Sequence, residues 1–547
     1  MRCLASLLVL LLAVPMPAQN AAQQQPIATL HAGTQLVVVD VVVQDKNGNP
    51  VHGLKASDFA LTENGAAQTF KNFEEHSSSD AGVGSIPKAP PMPPGTYTNF
   101  TPAPNGRGPL EVLLLDSLNT PQIEQAFVQQ QVNKYLASAP AGRRVAIFGL
   151  GTRLYLLQGF TDTPEILREA VTKKGGMQSS PALSDPTNGA KLSDAVREQT
   201  AEITGNADAA DSDEIANTMA LFEKEMETTQ KVDQGKISLD ALNTLARYLA
   251  TFPGRKNLIW FSGSFPINIL PNNDTNMTAA ASGHANTSLS GDPFVGTASL
   301  EREFRETTAL LSRDQVAVYP IQAHGLQTTP MFQAQTATGS KDLRPGGTAM
   351  RQELSAFDQK NFDENATMGE MARDTGGQVF KNNNDLTMGI EKAINEGSNY
   401  YTIAYSPTDQ NWTGSFRSIN VKLQDSGYSL SYRRGYFSDN PFVPTSQAGA
   451  APGASAAMRT ALVYGGPNVG EVLFTTRVLP ASTATEDAAA PGNNVAKTLK
   501  GPYLRFNVDA SVNPKGMTFS KNGETWHDTV EFLAFLYDSD GKLVNTA

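Results

Sequence analysis

Leu113 to Thr120 reads LLLDSLNT, an aspartate closing an apolar run, followed by two hydroxyl side chains and an amide. Oxygen ligands gathered in one tight turn can hold a hard cation such as Mg2+ or Ca2+. The same residues have a plainer use, in which Asp116 ends a strand and Ser117, Asn119 or Thr120 caps a helix with Pro121 at its first position. Both readings require a strand ending at Asp116 and a helix starting just after Pro121. In an open α/β sheet such a junction is where ligands sit, because helix N-termini and loop amides converge beyond the carboxyl ends of the strands.

The elements that must position this junction lie between Leu110 and Asn399. Short apolar segments (LEVLLLD, RRVAIFGLG, RLYLLQGF, RKNLIWFSG, QVAVYPIQA, GGQVF) alternate with helical stretches at Gln122 to Leu136, Pro164 to Lys174, a long run ending at Thr251, Leu300 to Arg313, Met368 to Asp374 and Leu386 to Glu396. Strands separated by helices of that length imply parallel crossovers and a sheet covered on both faces. Two polar stretches, Ser264 to Gly296 and His324 to Thr367, follow the fourth and fifth strands of this order and are expected on the same edge as Asp116. Connections that long are usually functional or disordered, so they read either as a binding surface or as mobile decoration.

Flanking this region the pattern is β. TQLVVVDVVVQ, a turn at Asp45 to Pro50, and FALTENGAAQTFKNF around Glu63-Asn64-Gly65 predict hairpins in an N-terminal module spanning 33–76. Residues 77–109, rich in Pro, Ser and Gly, read as a linker, followed by the α/β domain at 110–398. YYTIAYSP, SFRSINVKLQD and YSLSYRRGYF predict a second β-module at 399–440. A second linker at 446–457 leads to an expected C-terminal sandwich at 458–547, whose completeness is left open because the sequence stops just after a strand begins.

Met1 to Gln19 has one Arg, an apolar stretch from Leu4 to Val14 and small residues near Ala18, the layout of a secretory signal peptide. A secreted, periplasmic or cell-envelope location is expected, with no integral membrane segment after cleavage, since no later apolar run approaches the ~20 residues that span a bilayer. The one cysteine, Cys3, lies inside that leader, which excludes disulfides and cysteine metal sites from the processed chain. A net charge of −11 without any Lys/Arg-rich run argues against nucleic acid as a partner.

The arrangement from Leu110 to Glu396 resembles the von Willebrand factor A-type (VWA) family, whose first strand ends in the D-x-S-x-S of a metal-ion-dependent adhesion site. RRVAIFGLGTRLYLLQGFTD is similar to the second and third strands of that family, and DTGGQVFKNNNDLTMGIEKAI to its last strand and helix. LVVVDVVVQDKNGNPVHGLKASDF, LDSLNT, PGRKNLIWFSGSFP, TGGQVF, YYTIAYSP and SYRRGYF, in that order, look like the acidobacterial VWFA-related subfamily. The resemblance implies an α/β fold, a Rossmann-like doubly wound and mostly parallel sheet flanked by small all-β domains. It also implies a non-catalytic role in adhesion or protein interaction, with a protein or cell-surface ligand.

The family's metal motif carries over with gaps. Asp116 matches its aspartate, Leu118 stands where a serine ligand belongs, and Thr120 replaces the second serine. Ser262-Gly263-Ser264 occupies the place of a T-D-G that ends the fourth strand. Ser179 and Ser180 stand near the position of a threonine ligand, and Asp274 is a substitute acid. The resemblance thus leaves a degenerate site with Asp116 and Thr120 as metal candidates for Mg2+ or Ca2+. Ser117, Asn119, Ser262 and Ser264 form the expected binding face.

Catalytic alternatives are less well supported by the residues. Ser262 or Ser264 with His324 and an aspartate suggests a hydrolase triad, but the G-x-S-x-G elbow is absent. No H-E-x-x-H spacing is present for a zinc protease. Asp208, Asp211, Asp213 and Glu214 lack the glycine and terminal glutamate of an EF-hand and are expected to start a helix at Ile215. Gly175-Gly176 and Gly376-Gly377 read as turn glycines, and Trp260 as a core residue. A structural component of an envelope assembly is the remaining alternative.

Overall fold

Four strands with no polar face form the centre of the molecule. In the computed structural model they are β6 (Leu110–Asp116), β7 (Val145–Leu150), β9 (Lys256–Ser262) and β10 (Val316–Gln322), each buried along its whole length. The structure describes residues 36–78, 91–101, 108–140, 142–172, 209–265, 293–323, 366–425, 427–438 and most of 462–547. With β8 (Leu154–Thr161) the four strands make a sheet of order β10-β9-β6-β7-β8, parallel except for the β7–β8 pair.

Because side chains alternate across a strand, this sheet feeds two cores. Val112, Leu114, Phe148, Leu258, Trp260 and Val318 pack with the long helix Ala209–Leu249 and the helix Pro293–Arg313. Leu113, Leu115, Ile147, Ile259, Phe261 and Ile321 pack with the helices Gln122–Ser138, Pro164–Thr172 and Leu386–Ser398. Full burial of each Leu, Ile or Phe here contributes about 1.5–3 kcal/mol. Gly376 adopts φ +80° and a Cβ on Gly377 would fall 2.0 Å from the Val318 carbonyl oxygen, so this pair turns the chain and lets it lie against β10.

Among the described residues that mixed sheet holds 5 of the 21 strands, and the remaining sheets are antiparallel. The expected class, an α/β Rossmann-like doubly wound mostly parallel sheet of VWA type with small all-β flanks, is therefore corrected. Among the described residues the chain is mainly antiparallel β, with few helices and one mixed sheet. The difference lies in the strands on either side of the helical region, which form two four-stranded sheets and further smaller ones.

The strands expected in separate modules at 33–76 and 399–440 interleave. One sheet has the order β13-β1-β11-β4 and the facing one β14-β12-β2-β3. Here β1 is Val37–Gln44, β2 Phe59–Glu63, β3 Ala66–Ala67, β4 Phe70–His76, β11 Tyr400–Tyr405, β12 Phe416–Leu423, β13 Ser429–Ser431 and β14 Gly435–Phe437. Val39, Val41, Leu61, Tyr401, Ile403, Ile419 and Val421 fill the space between them. Inside that sandwich Glu63 takes Arg417 at 3.0 Å and the hydroxyls of Tyr405 and Tyr436 at 2.7 and 2.9 Å, so the buried charge is fully paired.

A polar seam joins the sandwich to the lower edge of the mixed sheet. Arg255, 3% exposed, lies 3.7 Å from Asp40 of β1, donates to the Tyr319 hydroxyl at 3.0 Å, and sits over the Tyr400 ring. Thr402 donates to the same Asp40 carboxylate at 2.8 Å. Within the expected linker, Thr96–Thr98 form a strand, β5, which pairs with β15 (Phe474–Glu486) near the C-terminus.

Candidate functional site

At the upper edge of the mixed sheet β6, β9 and β10 all end, since the three run parallel. Asp116 closes β6 and is 2% exposed. Its Oδ1 accepts from the Asn119 backbone N–H at 3.0 Å. Its Oδ2 accepts from Asn119 Nδ2 at 2.8 Å, Trp260 Nε1 at 3.1 Å and Ser262 Oγ at 2.8 Å. Trp260 and Ser262 reach the same oxygen because residues two apart on a strand share a face.

The neighbouring candidates are tied in the same way. Thr120 Oγ1 accepts from the Gly263 N–H at 2.9 Å, which fastens the turn after β6 to the turn after β9. Ser117 Oγ donates to the Leu150 carbonyl at 2.8 Å, closing the turn onto β7. Gln125 Nε2 donates to the carbonyls of Ser117 and Thr120 at 3.1 and 2.7 Å. Asn119 Nδ2 also reaches Ser238 Oγ of the long helix at 2.9 Å, while Asn119 Oδ1 is buried with no protein donor.

Burial pushes the Asp116 carboxyl above the ordinary aspartate range, opposed by the hydrogen bonds from Asn119, Ser262 and Trp260. Ser262 Oγ lies 2.8 Å from Asp116 Oδ2 and 2.9 Å from the Ser264 carbonyl oxygen, two acceptors for one hydroxyl proton.

This geometry does not fit Mg2+ or Ca2+. A hard cation needs an ionised carboxylate with free lone pairs and further oxygens converging on it. Asp116 is surrounded by donors, Thr120 Oγ1 is engaged with a backbone N–H, and Leu118 is a core side chain, 7% exposed. Among the described residues no group of three His, Cys, Asp or Glu side chains converges as a metal site. Ser179, Ser180 and Asp274 lie outside the described residues.

The capping alternative is also replaced. Pro121 itself occupies the N-cap of the helix Gln122–Ser138, which carries no side-chain cap. The long helix is already formed at Ala209, ahead of the start expected at Ile215.

The metal candidates Asp116 and Thr120 and, of the expected binding face, Ser117, Asn119 and Ser262 come together in one hydrogen-bonded knot, and Ser264 lies half-buried beside it. His324 is outside the described residues, as are most of the stretches Ser264 to Gly296 and His324 to Thr367. Sequence reasoning missed Trp260 as a donor, Gln125 as the brace of the turn and Ser238 as a contact from the long helix. The two-residue spacing of Trp260 and Ser262 was the available signal for the first; no local pattern marks the other two.

No family model and no curated protein matches the chain. Solved structures do. The PilB minor pilin from Streptococcus sanguinis is 10% identical with a TM-score of 0.24, the match covering 54% of this chain and 63% of the pilin. A point mutant of the same pilin matches at 10% identity and TM-score 0.24, over 53% and 62%. An uncharacterized membrane spanning protein from Vibrio fischeri is 15% identical with a TM-score of 0.12, over 52% of this chain and 96% of that one. The chain thus spans less than two thirds of the pilin's length, and likeness at these TM-scores carries no argument about function.

Proposed function

We propose that this is an exported binding protein rather than an enzyme, and that it contacts a protein or cell-surface ligand at the upper edge of the mixed sheet. The observation that carries the reading is the knot at Asp116, where the Asp116 carboxyl and the hydroxyls of Ser117, Thr120 and Ser262 are spent on fixing the ends of β6, β7 and β9. Ser262, the candidate nucleophile, is held by the Asp116 carboxyl and the Ser264 carbonyl, and among the described residues no histidine is placed against it. A rigid edge is what recognition requires of a scaffold.

The chain leaves that edge after Phe265 and after Ala323, at the two polar stretches whose length suggests recognition. Binding in this account is independent of metal, because the carboxylate that would anchor a cation is committed to protein donors. Replacing residues 266–292 and 324–365 by short Gly/Ser connections tests the reading. Saturable retention on envelopes of the producing cells should be lost while thermal stability is kept; unchanged retention would refute it.

A further inference from the structure

The sheet in which β15 lies between β5 and the strand Tyr503–Val512, β17, has two unlike faces. Along β17 (Tyr503–Val512), Leu504, Phe506, Val508, Ala510 and Val512 fall on one face, and Tyr503, Arg505, Asn507, Asp509 and Ser511 on the other. The register puts Phe474, Thr476 and Val478 of β15 beside the first set, with Tyr97 of β5 opposite Thr476. This apolar face is bare: Tyr97 is 64% exposed, Val508 56%, Leu504 55% and Phe506 50%. Apolar surface gathered in this way marks an interaction site.

β17 is also an edge, pairing only with β15 among the described residues. Asn513 N–H donates to the Leu473 carbonyl, which sets the phase of the ladder. Odd-numbered residues of β17 turn their amides and carbonyls toward β15, and Leu504, Phe506, Val508 and Ala510 turn theirs outward. The strand is 10 residues long and contains neither proline nor lysine, the usual means of blunting an edge.

We infer that β17 pairs antiparallel with β17 of a second copy, across a twofold axis at Asn507. In that register Phe506 faces Val508 of the other copy and Leu504 faces Ala510, all residues whose backbone groups point outward. Arg505 then faces Asp509 on both sides of the axis, at pairs without hydrogen bonds, where side chains approach closest. A slip of two residues places Asp509 opposite Tyr503 or Asn507 instead, so the charges select one register. Each copy's Phe506 and Leu504 gain cross-strand apolar neighbours that the single chain does not supply. This inference stands apart from the binding edge at Asp116, which lies in a different sheet.

Sedimentation equilibrium of the full chain tests it. The wild type should form dimers in the micromolar range. D509R sets arginine against Arg505 on both sides of the axis and should weaken the dimer by about tenfold or more, whereas the double variant R505D/D509R restores the opposed charges and should restore dimers. Asp509 also stands opposite Arg477 of β15, and Arg505 pairs with Glu486 within the chain, so the thermal midpoints of both variants are compared with wild type, and a change in dimer affinity at unchanged midpoint reads the contact between copies. A wild type that stays monomeric at about 100 μM, well above a micromolar Kd, would overturn the inference. So would a D509R variant as tightly dimeric as the wild type, or a folded double variant no tighter than D509R.

Discussion

Ser262 Oγ lies 2.8 Å from Asp116 Oδ2, binding the end of β9 to the end of β6 through a carboxyl that is 2% exposed. Asp116 is therefore the centre of the upper edge as a structural tie, and the recognition proposed for that edge falls to the surface around it.

Removing the tie should be costly. D116A strands the Trp260 indole N–H and the Asn119 backbone N–H, takes one acceptor each from the Ser262 hydroxyl and Asn119 Nδ2, and should lower unfolding free energy by about 3 kcal/mol. W260F removes one donor and should cost about 1 kcal/mol. Urea denaturation checks both, and equal midpoints for D116A and wild type would contradict the arrangement.

Metal should be inert at this edge. A ligand that binds only the native state raises its melting temperature, so millimolar Mg2+ or Ca2+ should leave the wild-type Tm unchanged. A clear rise abolished by D116A would restore the cation site.

Stability should fall as pH rises from about 4.5 to about 7 because of Glu111. Burial lifts this carboxyl to about 7, opposed by Arg143 at 3.0 Å. The folded chain therefore holds a proton that the unfolded chain releases near its ordinary value of 4.5. Below both values this difference vanishes; between them stability declines with rising pH, and above about 7 the full penalty is present. E111Q should flatten the slope between pH 5 and 8, with a gain of about 1–3 kcal/mol at the upper end. Equal slopes for the two proteins in chemical denaturation would remove Glu111 as the cause.

The seam between sandwich and mixed sheet should respond to Arg255. R255A leaves Asp40 buried without its cation and should cost about 3–5 kcal/mol. Calorimetry should show the loss, and a wild-type melting profile in R255A would show that the seam contributes nothing.

The strands of the mixed sheet were legible in the sequence because LEVLLLD, VAIFGL, NLIWFS and VAVYPIQ are buried on both faces and leave no ambiguity of pattern. The hairpin around Asn64-Gly65 was legible too, Thr62 facing Ala67. What local signals did not carry is partnership at long range. Val39 pairs with Ile403 and Leu61 with Val421, each more than 350 residues away, and no turn residue encodes such a match. That is why two expected modules are one sandwich and why the balance of the fold class was misread. At the site, residue types marked the right turn, but hydrogen-bond partners from Trp260, Gln125 and Ser238 decide what Asp116 does, and those depend on packing.

The central claim is that the edge around Asp116 binds without metal, and Ser264, half-buried beside the knot, is the place to test it. The measurement is saturable retention of wild type and S264W on envelopes of the producing cells, in excess EDTA, with thermal midpoints compared as a control for folding. The account expects wild type to bind in EDTA, protease treatment of the envelopes to reveal whether the ligand is a protein, and S264W to lose most retention with its Tm preserved. Retention that requires Mg2+, or that S264W leaves intact, would contradict it.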